Sequence, residues 1–471
     1  MRGLIVDLFA GGGGASKGLE AALGRPVDIA INHSPVALAV HEANHPHTRH
    51  LTADIWEVRP RDATRGRPVD VLWASPDCTH FSVAKGGKPR EQGIRSLAWV
   101  VVDWAREVRP SVIFLENVAE FRTWGPLGPD GRPDKARMGE TFEQWRGELE
   151  LLGYEVDYRV LTASHYGAPT SRRRLFLVAR CDGEPIRWPE PTHGPGLLPY
   201  RTAAECIDWS IPCPSIFGRK KPLAEKTLRR IALGIKRFVI ENPAPFIVGV
   251  GGRAGQSHPT AIDAPVGTIT TKNDRALVVP TLVQTGYGER NGQTPRALDL
   301  HQPLGTIVAG GSKHALVAAF LAKHYGGVVG QPLTQPTGTI TTQDHHAVVT
   351  AQLGPDRSPQ VRAFLASYFG SPADIGQAVT DPLRTVTTRD RFGLVTVEGV
   401  GYQITDIGMR MLEPHELLRA QFGRFAAAYD MTAAKTKAAK VRLIGNSVAP
   451  ECAEAVVLAN LPRATRRAAA C

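Results

Sequence analysis

The sequence predicts an α/β protein: a doubly wound, mostly parallel sheet carrying an inserted β-rich region. Three observations predict it. Over the first 180 residues short apolar runs alternate with amphipathic stretches at helical spacing. A glycine-rich turn follows the first run and opens into a helix. A fourfold repeat of Thr-rich segments then interrupts the chain before residue 400.

The elements follow in order. "LIVDLFA", "VDIAIN", "VDVLWA", "SVIFLEN", "YEVDYRVL" and "RRLFLVA" are rich in branched apolar residues and read as strands. "SLAWVVVDWAREV" and "ETFEQWRGELELLG" carry apolar residues at helical spacing and read as helices laid on the sheet. In such sheets ligands bind beyond the carboxyl ends of the strands, so the residues just after each run carry the chemistry. After the first strand comes "DLFAGGGGASKGLEAALG", where glycines let the backbone approach a ligand and the helix start offers free N–H groups. The G-x-G-x-x-G dinucleotide spacing is absent.

Composition narrows the function classes. At 471 residues and 42% hydrophobic the chain can bury large cores, and its length fits two or three domains. The six cysteines show no short paired spacing of the kind that builds a zinc site or a disulfide framework, which points to a reducing, cytoplasmic setting. No apolar run reaches membrane-spanning length, and Asp7 and the glycines interrupt the opening stretch where a signal peptide would stay apolar. A net charge of +11 favours a polyanionic partner, because clustered Lys and Arg release counterions when they meet phosphates.

Two strand ends stand out. "SPDCTHFS" follows the run "VDVLWA" and holds Cys78, and "ENV" ends "SVIFLEN" at Glu116. A thiol nucleophile beside a carboxylic acid can attack and protonate one substrate ring. In "APTSRRRLFLVA", Arg172 and Arg174 share a face at the start of a strand, which suits recognition of an anion or a carboxylate.

In these residues the chain resembles the S-adenosylmethionine-dependent cytosine-C5 DNA methyltransferases. The resemblance runs in order through "DLFAGGGGAS", "SPDCTHFS", "ENV" and "ASHYGAPTSRRRLF", and resumes at "RMLEPHELLRAQFG" and "RLIGNSVAP". It implies a Rossmann-like methyltransferase fold and a covalent mechanism: the Cys78 thiolate adds to C6 of a flipped-out cytosine while Glu116 donates to N3, making C5 nucleophilic. It implies that Arg172 and Arg174 hold the base and backbone, and that Asn117 positions the loop. Phe9, Gly11, Gly13, Asn32, Asp54, Pro76, Asn446 and Ser447 fall at cofactor-site positions, with S-adenosylmethionine as cofactor. Ser82 and Arg419, inside the matching motifs, are assigned to the DNA side. The implied partner is double-stranded DNA, bound by a monomer in the manner of bacterial or phage restriction-modification enzymes. An RNA-modifying enzyme of the same fold and a catalytically silent DNA-binding homologue are the alternatives; the large insertion speaks against the first and the intact Cys78, Glu116, Arg172 and Arg174 against the second.

The sequence departs from the family pattern at named positions. Asp77 and Thr79 flank Cys78 where a proline and a glutamine are usual, and an adjacent carboxylate tends to raise a thiol pKa. Asn32 stands where a ribose-binding glutamate is usual, and its amide can still hydrogen-bond hydroxyls. The expected layout is a catalytic domain split into 1–185 and 405–471, with a target recognition region at 186–404. Within it "DAPVGTITTKNDRALVV", "HQPLGTIVAGGSKHALVA", "TQPTGTITTQDHHAVVT" and "TDPLRTVTTRDRFGLVT", at about 246–398 with their lead-in segments, are four versions of one unit. Pro265, Pro303, Pro336 and Pro382 are in register. Loop residues such as Lys272, Asn273, Arg389 and Asp390 carry the donors and acceptors that base edges require. "HEANHPHTRH" holds four histidines, but Pro46 breaks the helix that would align them as metal ligands, so no metal is expected. The basic segment "RFAAAYDMTAAKTKAAKVR" is expected to face phosphates.

Overall fold

The computed structural model describes residues 3–76, 97–128, 133–202, most of 204–223 and 412–461, together with the strands named below between 248 and 411. Two compact units divide the chain: Met1–Pro199 with Gln421–Cys471, and Tyr200–Ala420.

In the first unit the apolar runs form β1 (Leu4–Leu8), β2 (Ile29–Asn32), β4 (Val69–Ala74), β5 (Val112–Asn117), β6 (Glu155–Thr162) and β7 (Arg173–Arg180). One strand, β3 (Arg49–Thr52), does not show in apolar periodicity: "RHLT" is short and polar, and it becomes a strand by pairing with β2. The cysteine loop therefore follows the fourth strand rather than the third. The order is β3-β2-β1-β4-β5-β7-β6, parallel throughout except that β7 runs antiparallel to both neighbours. This arrangement is a Rossmann-like methyltransferase sheet, with its switch point between β1 and β4.

Helices cover both faces. They are α1 (Gly14–Leu23), α2 (Pro35–Asn44), α3 (Pro60–Thr64), α4 (Trp99–Val108), α5 (Glu140–Leu151), α7 (Lys437–Asn446) and α8 (Pro450–Asn460), while α6 (Pro414–Phe422) spans the boundary between the two units. Trp104, Phe121, Phe142 and Trp145 fill one face. On the other, Ala15, Leu19 and Ala22 of α1 and Ala453, Val456 and Val457 of α8 pack over Trp73, Phe114 and Phe176. α8 thus helps to cover β4, β5 and β7, and Arg180 locks it to β7 by donating to the Asn460 carbonyl at 2.8 Å. Local signals set the helix starts. Pro35 opens α2 behind Ser34, whose hydroxyl accepts from the Ala37 N–H, and Thr436 caps α7 in the same way.

The second unit holds an antiparallel sheet of β8 (Val248–Gly249), β9 (Arg275–Leu277), β10 (Thr281–Gln284), β11 (Ala297–Leu298), β12 (His314–Lys323), β13 (His346–Leu353), β14 (Leu394–Val397) and β15 (Val400–Met411). β9, β12, β13 and β14 start 10, 11, 10 and 12 residues after Pro265, Pro303, Pro336 and Pro382, at nearly the same place in each repeat. The loop residues Lys272, Asn273, Arg389 and Asp390 lie outside the described residues.

Candidate functional site

The carboxyl ends of β1 and β4 flank the switch point, and that of β5 lies beside β4. At the end of β5, Glu116 is 6% exposed and held between two cations: Arg174 Nε lies 3.3 Å and Arg172 Nη2 3.9 Å from its Oε1. The arginines reach it because β7 runs antiparallel beside β5, pairing Phe176 with Glu116 and Leu175 with Asn117. Arg172 is itself buried and donates from Nη1 to the Gly445 carbonyl at 3.1 Å, tying the carboxylate site to the end of α7. Glu116 Oε1 makes no hydrogen bond despite its burial. A buried carboxyl group with adjacent cations can bond to a ring nitrogen or give it a proton.

Asn117, the last residue of β5, donates from Nδ2 to the Pro76 carbonyl at 3.3 Å. The loop after β4 is therefore anchored to the strand that carries Glu116. Cys78 follows Pro76 by two residues; it and Ser82 lie outside the described residues.

The glycine-rich loop closes the end of β1. Phe9 takes the left-handed conformation at φ 61°, a position that costs a non-glycine residue energy, and Gly13 sits at φ 90° as the start of α1. Gly11 has open space where a Cβ would be. From the other side the "GNSV" segment packs on the loop, with Ser447 Oγ 3.5 Å from the position of a Gly12 Cβ. Ser447 is buried, and Gln421 Nε2 donates to its carbonyl at 2.8 Å. Two buried acceptors near the loop, Asp7 Oδ1 and Ser447 Oγ, have no hydrogen-bond partner.

Asn32 ends β2, and its Oδ1 accepts from the Ser34 N–H at 2.8 Å, so its Nδ2 hydrogens are what it offers a ligand. Asp54 is exposed, its Oδ1 accepting from the Trp56 N–H. Asn446 is exposed at the end of α7, and Arg419 is exposed on α6.

Sequence reasoning did not single out a buried network behind the loop. Ser16 Oγ lies 2.6 Å from Asp7 Oδ2, His41 Nε2 lies 2.9 Å from Ser16 Oγ, and His50 Nε2 lies 2.8 Å from His41 Nδ1. Burial pushes the Asp7 carboxyl up to about 7, against the lowering effect of the Ser16 bonds. Burial holds His41 well below the usual imidazole range, with His45 and His50 adding to the effect. Of the histidines in "HEANHPHTRH", His41 and His50 join this hydrogen-bonded chain, His45 pairs with Glu20 and His47 is exposed. The segment after α6 also differs from a uniform basic surface. Lys435 and Lys437 are exposed, but Tyr429, Met431 and Ala434 are buried.

Residues 4–197 match the family described as C-5 cytosine-specific DNA methylase. The Type II methyltransferase M.AquIA of Picosynechococcus is 29% identical over 222 residues, 43% of this chain and 87% of that protein. The Type II methyltransferase M.AgeI of Thalassovita gelatinovora is 32% identical over 194 residues, 40% of this chain and 42% of that protein. For M1.HphI of Haemophilus parahaemolyticus the share is about half, 51% of that protein at 30% identity. A crystal structure of a DNMT2 mutant from Spodoptera frugiperda aligns over 97% of this chain and 98% of that one with a TM-score of 0.50 at 14% identity, a likeness of fold alone. Among the described residues no helix is long and apolar enough to cross a membrane.

Proposed function

The chain belongs to the cytosine-C5 DNA methyltransferase family, and on that premise we propose that it methylates C5 of cytosine in double-stranded DNA through a covalent adduct at Cys78. The observation that carries this reading is the arginine-clamped Glu116 on the strand that also anchors the cysteine loop. An acid at this point serves a ring that a thiolate attacks from the neighbouring loop.

The steps follow from the side chains. The target nucleotide leaves the stack, at a cost of about a few kcal/mol. Cys78 Sγ then bonds to C6 while Glu116 gives a proton to N3, and the electrons that leave the C5–C6 double bond make C5 an enamine carbon. Arg172 and Arg174 keep the Glu116 carboxyl oriented and hold the base against it. Once C5 carries the methyl group, loss of the C5 proton re-forms the C5–C6 double bond and expels Cys78 as thiolate, while the N3 proton returns to Glu116.

S-adenosylmethionine, when bound, supplies the electrophilic methyl group. The residues present suit it: an open backbone at Gly11 lets the ligand approach, and Asp7 Oδ1 and Ser447 Oγ are buried acceptors without partners, as a ligand with an ammonium group and hydroxyls requires. Phe9, Gly13, Asn32, Asp54, Pro76, Asn446 and Ser447 would line its site. Residues 1–185 and 405–471 would form the catalytic domain and 186–404 the target recognition region, acting as a monomer on DNA in the cytoplasm within a restriction-modification setting.

Methyl transfer from labelled cofactor tests the proposal with duplex DNA and tRNA as rival substrates. Label in DNA recovered as 5-methylcytosine is expected. Label in tRNA alone, or in neither, would contradict it.

A further inference from the structure

The glycine loop is held by a residue of the basic segment after α6 to which the sequence assigned no role of its own. Tyr429 is buried, and its hydroxyl donates to the Gly12 carbonyl. Its ring centre lies 4.6 Å from that of Phe422 and 6.2 Å from that of His45. His45 Nε2 lies 3.5 Å from the same hydroxyl, and on the far side of the ring Nδ1 lies 2.9 Å from Glu20 Oε2. A Cβ on Gly13 would run into both the Tyr429 hydroxyl and His45 Nε2. The next residue is fixed as well: Asn44 Nδ2 donates to the Asp430 carbonyl and the Asp430 N–H donates to Asn44 Oδ1, each at 2.7 Å.

We propose that Tyr429 is a positioning residue for cofactor binding, holding the glycine loop in the conformation that receives the cofactor. The inference rests on the reading of that loop as the cofactor site. Four consecutive glycines give the loop more conformational freedom than any other sequence would, and ordering them on binding opposes affinity unless something orders them first. Tyr429 does so through one donor aimed at one loop carbonyl, from a ring held by Phe422 and a segment seated on α2. The donor stays a donor: burial, with the Glu20 and Asp7 carboxyls nearby, holds the phenol well above its ordinary range. Tyr429 touches neither a reacting atom nor the base site, so its removal acts on binding and leaves chemistry at saturation alone.

Tyr429→Phe keeps the ring and deletes the hydroxyl. In the full chain, the dissociation constant for S-adenosylhomocysteine, measured by equilibrium titration, is expected to rise about fivefold to tenfold, the effect of leaving one buried carbonyl unpaired. The rate at saturating S-adenosylmethionine should stay within about twofold. Asn44→Ala, which unseats Asp430 without touching the ring, should weaken binding in the same direction by a smaller factor. Unchanged affinity in Tyr429→Phe, or a saturated rate that falls as far as affinity does, overturns the proposal. Parent protein that binds no cofactor at any concentration overturns the cofactor-site reading itself, a result distinct from either.

Discussion

Asp7 shows how far the fold can move a single residue. In the sequence it is one acidic letter in "LIVDLFA"; in the structure it is 1% exposed, bonded to Ser16 and linked through His41 to His50. Its folded pKa is raised to about 7, so the folded chain holds this proton where the unfolded chain has already lost it. The contribution to stability is fully present below the unfolded carboxyl value and is lost as pH rises through about 7. His41 acts in the opposite sense: it stays neutral in the fold, so its contribution is lost as pH falls below the ordinary imidazole value. Asp7→Asn separates the two. Relative to the parent, it should gain stability as pH rises from about 4 to about 8, by up to a few kcal/mol, in chemical denaturation across that range. A parent-to-variant difference that does not change with pH would remove Asp7 as the titrating group. Legibility at this scale divides by distance along the chain. Glu116, Arg172 and Arg174 stood out in the sequence because each residue type is informative at a strand end, and the structure brings these three together, whereas Cys78 lies outside the described residues. Tyr429 did not stand out, since the carbonyl it serves is 417 positions away and nothing in "AAAYDMT" marks an inward-facing ring.

Among the elements, α1 and α8 approach each other closely at a glycine. A Cβ on Gly18 would stand 2.6 Å from both Ala453 Cβ and the Pro450 carbonyl, so the glycine is what lets the two helices meet. Gly18→Ala is accordingly expected to cost about 1–3 kcal/mol by overpacking, despite the better helix propensity of alanine. The midpoint of urea unfolding checks it, and an unchanged or raised midpoint would mean that α8 can shift without loss. Strands with a continuous apolar run were legible, because burial on both faces demands such runs. β3 was not: four residues in "RHLT" at the sheet edge are strand by virtue of their neighbour rather than their own pattern. The basic segment after α6 was legible in its lysines and not in its buried tyrosine, since charge marks only what faces water.

For the whole molecule, the proposed division of labour places chemistry in one unit and sequence choice in the other. The match to the methylase family covers residues 4–197, while the repeats lie in Tyr200–Ala420. If the repeat loops read base edges, changing Lys272, Asn273, Arg389 or Asp390 should alter which cytosines are modified, at about 1–3 kcal/mol per lost contact and only at its own position. Methylation mapping on a genome free of other cytosine methylation would show this as a changed site pattern, whereas a uniform loss would assign the loops to phosphates. The central claim is the covalent step, and trapping tests it most directly. On duplex DNA with 5-fluorocytosine at modified positions, fluorine cannot leave C5 as a proton does, so the adduct should persist through denaturation in the parent protein and be absent in Cys78→Ala. Parent protein that methylates cytosine yet leaves no adduct, or a Cys78→Ala variant that still forms one, would contradict the account.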